Sequence, residues 1–150
     1  MCAETFQLFG TVLDPPAEPG RTPRHMLPAN LRPHARPSIT LIHLARGAPQ
    51  RHIDRLERHR HAGQAFLHMG GGGLLVVVAL DTPQSGPDPT AIHLFSTTPG
   101  QSFAYHPNIW HAGVSARDAP AMVASLLCCD GTEADVEEIV LETPLTIDIA

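Results

Sequence analysis

The sequence predicts an antiparallel all-β domain, a sandwich or a barrel, on three observations. Strand-like segments recur about every ten residues with turns between them. Fifteen prolines and twelve glycines punctuate 150 residues, too densely for a helical bundle. Hydrophobic residues make up 43% of the chain, enough for a core, and the length suits one domain.

Taken in order, segment 5–14 alternates loosely and fits a short edge strand or a helical turn. Residues 15–37 carry prolines from Pro15 to Pro37. No regular element survives proline that dense, so this is a loop: a mobile arm, or a strap across a neighbouring subunit. SITLIHLA at 38–45 reads as a strand, and RHIDRLERH at 51–59 as a strand or a helical turn. QAFLHM at 64–69 is a strand running into Gly70 to Gly73. Those glycines form a hairpin turn rather than a phosphate loop, since no P-loop Lys follows. LLVVVAL at 74–80 is β-branched and short, hence a buried strand. A loop over 81–90 precedes the alternating strand AIHLFST at 91–97. SFAYH at 102–106 starts a strand, PNIW turns the chain, and HAGVSA follows. AMVASLLCCD at 121–130 and VEEIVLE at 136–142 are the last two strong segments.

Composition excludes several functions. The net charge is −5 and every basic residue is Arg. A nucleic-acid binder usually carries a basic face, which nothing here suggests. The longest apolar run, 74–80, falls short of the roughly 20 residues of a membrane span. The opening MCAETFQLFG has neither the basic start nor the apolar core of a secretion signal. Cys2, Cys128 and Cys129 are odd in number, and adjacent strand residues point to opposite faces, which disfavours a Cys128–Cys129 bridge. A reduced, cytoplasmic setting is expected. Cys128 and Cys129 have no basic neighbour in sequence and do not read as nucleophiles.

The histidines carry the chemistry. In ERHRHAGQ at 57–64, Glu57 and His59 are two apart and share one face of a strand, with His61 if the strand continues. A short turn returns the chain to Gln64. In YHPNIWHAG at 105–113, Pro107 and Asn108 favour a turn that brings His111 back toward the interior. A lone histidine is more often a surface or hydrogen-bonded core residue than a ligand. Glu57, His59, Gln64 and His111 together, however, present two nitrogens and two oxygens. That donor set suits a borderline divalent metal such as Ni, Mn, Fe or Zn. Trp110 reads as a packing residue beside the site.

Several segments together resemble the ureidoglycolate lyase family of the cupin superfamily. They are LERH at 56–59, QAFLHM at 64–69, VVVAL at 76–80 and YHPNIWHAG at 105–113, in that order and spacing. FQLFGTVLD at 6–14 and ASLLCCDGTEADVEEI at 124–139 resemble the family's opening and closing segments. The resemblance implies a cupin-type double-stranded β-helix, an antiparallel jelly-roll barrel, in one domain over 1–150, and a homodimer. It implies that Glu57 and His59 take the places of the usual cupin histidine pair, Gln64 that of the acid and His111 that of the distant histidine. It also implies a nickel-associated site. The implied reaction splits (S)-ureidoglycolate into glyoxylate and urea. A base removes the hydroxyl proton, a carbonyl forms, and the C–N bond breaks as the urea nitrogen takes a proton. In this register Glu57 is a ligand or proton acceptor, and Tyr105, His106 and His93 are candidate donors. Gln64, His93, Arg32 and Trp110 border the substrate, a small polar acid.

The sequence departs from the family at three places. The family's segment before SITLIHLA is replaced by PANLRPHARP at 28–37, leaving Arg32 or Arg36 to clamp a carboxylate. His93 stands where an Arg is usual, and Ala112 where a second His is usual. Two other functions therefore stay open at this point. One is a different cupin enzyme, a lyase, isomerase or dehydratase acting on another small hydroxy acid. The other is a non-catalytic cupin that binds a small ligand, since function rides on the site and not the fold.

Overall fold

The computed structural model describes residues 1–23, 28–84 and 86–149. A four-residue helix, α1 (Ala3–Phe6), precedes strand β1 (Gly10–Leu13), so the opening segment is both a helical turn and an edge strand. The strands that follow are β2 (Arg36–Leu44), β3 (Gln50–Arg58), β4 (Gln64–Gly71), β5 (Leu74–Asp81), β6 (Pro87–Ser96), β7 (Ser102–Tyr105), β8 (Trp110–His111), β9 (Ser115–Ala116), β10 (Ala121–Cys129) and β11 (Glu137–Asp148). They form two antiparallel sheets. The first runs β1-β7-β4-β10-β2 and the second β11-β3-β8-β5-β6, with β9 added to β5. No helix among the described residues is long and apolar enough to cross a membrane.

The main core lies between the sheets, with Phe6, Phe9, Phe66, Phe103, Val76, Val78 and Val123 all buried. A second cluster, behind the second sheet, holds Ile53, Leu56, Val77, Ala79 and Trp110, with Leu141, Leu145 and Ile147 of β11 packed on it. Strand alternation thus sends Val76 and Val78 to one cluster and Val77 and Ala79 to the other. This is why LLVVVAL is apolar throughout. Each such aliphatic side chain contributes roughly 1.5–3 kcal/mol on burial.

The strands differ from the sequence reading in several places. β2 begins at Arg36, so Arg36 and Pro37, expected in the loop, are strand residues paired with Cys129 and Cys128. Residues 51–59 are strand up to Arg58, not a helical turn, so His61 falls in the following turn and is exposed. β6 begins at Pro87, inside the expected loop, and β11 runs past 142 through Thr143 and Pro144, where its register against β3 breaks between Val140 and Leu145. The strand prolines, Pro37, Pro87, Pro89 and Pro144, all lie on edge strands of their sheets, where a missing N–H costs no ladder bond. The Pro-rich segment keeps its loop character over the described residues 15–23. Residues 29–31 latch onto this chain's own turn, by Leu31 N to His61 O at 2.8 Å and Gly63 N to Ala29 O at 2.8 Å. Residues 24–27 of that segment lie outside the described residues.

Candidate active site

Two chain reversals bring the site together. β3 ends at Arg58, leaving Glu57 on its last inward position and His59 just beyond, buried. The turn back to Gln64 passes Gly63, where a Cβ would sit 2.7 Å from the Tyr105 carbonyl oxygen, so only glycine allows that approach. The second reversal is Pro107–Asn108. Asn108 adopts φ 68°, as asparagine tolerates better than most residues, and its N–H donates to His59 O at 2.9 Å. The chain returns as β8, pairing His111 directly with Glu57.

The ligand atoms of Glu57, His59 and His111 lie within 4.8 Å of one another. His111 Nε2 is 3.3 Å from Glu57 Oε1. The His59 and His111 rings are 5.4 Å apart, and the Tyr105 ring stacks on His111 at 4.5 Å. Gln64 is buried beside His59 and donates from Nε2 to Ser125 Oγ at 3.1 Å.

Backbone carbonyls fix both histidine tautomers, because a carbonyl only accepts. His59 Nδ1–H donates to Asp135 O at 2.6 Å, and His111 Nδ1–H to Ile109 O at 2.9 Å. His59 Nε2 is left with its lone pair facing the cluster, and His111 Nε2 faces Glu57 Oε1. Four buried polar atoms there have no hydrogen-bond partner: His59 Nε2, His111 Nε2, Gln64 Oε1 and the Tyr105 hydroxyl. Orphaned buried polar atoms cost free energy unless something else satisfies them. The protonation states agree. Burial holds the His59 imidazole below its ordinary value, so it is neutral near pH 7. The neighbouring His111 holds the Glu57 carboxyl low, against the opposing effect of burial, so Glu57 is ionised. Burial, reinforced by Glu57, pushes Tyr105 up, so its phenol stays protonated.

Two imidazole nitrogens, a carboxylate and an amide oxygen fit a borderline divalent cation. Glu57, His59 and His111 can hold one, with the orphaned Gln64 oxygen as a further donor. The cluster opens through half-buried Glu57 into a cleft of about 230 Å³, lined by Arg55, Glu57, His111, Gly113 and Glu138. An ionised carboxylate and a protonated phenol about one buried pocket are the parts needed to take one proton and give another.

The other expected residues lie elsewhere. His106 follows Tyr105 on the alternating strand path, so it turns outward, is exposed, and contacts Gln7 O through Nε2 at 3.3 Å. His93 is exposed on β6 with its ring 5.0 Å from Phe9, and Val78 stands between it and His111 in the ladder. Trp110, next to His111 in the strand, faces the opposite side of the sheet and donates to Asp81 Oδ1 at 3.1 Å. Arg36 is exposed and donates to Pro33 O at 3.3 Å. Arg32 has its guanidinium on Asp130 at 3.0 Å and Asp135 at 2.5 Å. It thereby fixes the turn whose Asp135 carbonyl holds His59, and it does not face the pocket as a carboxylate clamp. The sequence reading passed over Arg58, which is fully buried between Glu57 and His59 in the chain. The signal was available: a residue between two inward ones must face the other way.

A family model described as ureidoglycolate lyase matches residues 1–148. "Ureidoglycolate lyase 2" of Rhizobium meliloti is 29% identical, covering 97% of this chain and 92% of that protein. The ureidoglycolate lyase of Rhodobacter capsulatus is 31% identical, covering 99% and 94%. Among solved structures, a dTDP sugar isomerase from Desulfovibrio desulfuricans G20 superposes with a TM-score of 0.52 over 89% of this chain and 83% of that one, at 21% identity. That likeness concerns the fold alone, and it accords with the double-stranded β-helix.

Proposed function

The chain belongs to the ureidoglycolate lyase family, and from that premise we propose that its Glu57–His59–His111 pocket is where (S)-ureidoglycolate is split into glyoxylate and urea. The observation that carries this reading is the convergence of four unpartnered buried polar atoms with an ionised carboxylate. The two other functions left open by the sequence have no comparable support.

Glu57 accepts the proton of the substrate hydroxyl. The oxygen's electron pair becomes the new carbonyl bond as the C–N bond breaks. The departing urea nitrogen takes its proton from the Tyr105 hydroxyl, and the proton on Glu57 then restores the phenol. A phenol held protonated by burial serves a strongly basic leaving nitrogen, and His111 stacked on its ring keeps it in place. His59, His111 and Gln64 would hold a divalent cation, leaving Glu57 to take the proton; nickel is the first choice, with manganese, iron or zinc as alternatives. Such a cation supplies Lewis-acid polarisation of the substrate oxygens when bound.

The protein works as a homodimer in the cytoplasm. The outer face of the first sheet supports the dimer, because Ile39, Leu41, Leu67, Met69 and Met122 are exposed on it. The unpaired Cys2, Cys128 and Cys129 support a reducing compartment.

The test is an assay of purified protein with (S)-ureidoglycolate, with and without added nickel or manganese, following glyoxylate. Glyoxylate well above the spontaneous rate is expected, and lost in Glu57→Gln. Its absence from folded, metal-loaded protein sinks the reading.

A further inference from the structure

A small acid entering the cleft meets negative charge, because Glu57 and Glu138 both line it. A carboxylate therefore needs a cation there. Arg32, Arg58 and Arg117 are at least half-buried, and each pairs with a carboxylate. Arg55 also lines the cleft, but it is exposed and shares Asp54 at 3.6 Å and Glu138 at 3.9 Å. Arg51 is different. It is half-buried on β3, yet among the described residues no carboxylate lies within ion-pair reach of it.

Arg51 instead donates from Nη1 to Ser115 Oγ and from Nη2 to Gly113 O. Gly113 lines the same cleft as Glu57 and His111. These two bonds anchor the guanidinium beside the cleft and leave it further N–H donors, since a guanidinium has five. Arg51 also lies near enough to Tyr105 that a charge on the phenol would be felt by the guanidinium. Burying a cation with no counter-charge is unfavourable, which is the condition an anion receptor meets before its anion arrives. The planar fork matches a carboxylate.

We propose that Arg51 is the carboxylate-binding residue of this site, recognising a small 2-hydroxy or 2-oxo acid by its carboxylate. The identity of the acid rests on the lyase reading. The binding does not.

Glyoxylate carries the carboxylate and urea does not, so the two probes separate this role from a merely structural one. Wild-type protein, Arg51→Met, Arg51→Lys and Arg55→Met are titrated with glyoxylate by calorimetry. Glyoxylate and urea are also compared as inhibitors of ureidoglycolate turnover. Glyoxylate binding is expected to weaken at least tenfold in Arg51→Met and at least threefold in Arg51→Lys, and less than twofold in Arg55→Met. The urea inhibition constant is expected to hold within twofold in every variant. If Arg51→Met does not fold, Arg51→Lys decides. Unchanged glyoxylate binding in the Arg51 variants, loss in Arg55→Met instead, or equal loss of both inhibitors overturns the assignment. So does wild-type protein that binds no glyoxylate. Wild-type protein that binds glyoxylate through Arg51 but does not cleave ureidoglycolate overturns only the lyase reading.

Discussion

Two polar clusters sit on opposite faces of one strand end, and they are built on opposite terms. Behind the second sheet, Arg58 is fully buried and saturated. It reaches Asp81 at 2.6 Å and Glu137 at 3.0 Å, and its guanidinium lies 4.2 Å over the Trp110 ring. Arg60 closes on the same Glu137, and Asn108 and Trp110 donate to Asp81. On the inner face, Glu57 and His59, the residues on either side of Arg58, join a cluster with four orphaned polar atoms. Charges whose partners are supplied by the chain hold the chain. Polar atoms left without partners are available to something else. The first cluster keeps the ends of β3, β5 and β11 in place, and the second is positioned by it.

The sharpest way to break the contrast is to exchange the consequences of mutation. His59→Ala or His111→Ala is expected to lower turnover about 10²–10⁴-fold while circular dichroism stays that of the wild type. Turnover within threefold of wild type in either variant removes that residue from the chemistry. Arg58→Met is expected to destabilise by about 1–3 kcal/mol, because Asp81 and Glu137 lose their buried partner but keep solvent and their other donors. Urea denaturation reads this directly, and a loss below 1 kcal/mol would make the back cluster as dispensable to folding as the front one.

Arg32→Ala sharpens the comparison, because Arg32 connects structure to site through Asp135. Nickel affinity is expected to fall roughly 10- to 100-fold, the usual cost of losing a group that orients a ligand histidine. Calorimetric affinity equal to wild type would show that His59 keeps its tautomer unaided. The smallest effect is on stability in Tyr105→Phe. Its hydroxyl has no hydrogen-bond partner, so removal is expected to change folding free energy by less than about 1 kcal/mol while glyoxylate release slows. Destabilisation on the scale of Arg58→Met would mean the hydroxyl belongs with the structural cluster.

Much of this was legible in the residues. The period of two placed Glu57 and His59 on one face, and the Pro107–Asn108 turn placed His111 opposite them. These are local rules, and local geometry obeyed them. The family register puts His106 among the donors and Trp110 beside the substrate, and strand alternation turns both away from the pocket, leaving Trp110 the packing residue that its surroundings in the sequence suggest. The chain position of Arg32 and Arg36 suggests a clamp, but Arg32 answers to Asp130 and Asp135, about a hundred residues on.

The sequence by itself determined the all-β class, most strand positions, the buried LLVVVAL strand and the Glu57–His59–His111 constellation, because periodicity and turn chemistry act over a few residues. Only the tertiary structure decided which strands are edges that tolerate Pro37, Pro87, Pro89 and Pro144, and which arginines are neutralised. It also decided that Arg58 is core while Arg51 stands beside the cleft without a carboxylate. Those outcomes depend on pairings between residues far apart in the chain, and a side chain's charge state and partners are set by the strand that folds back against it.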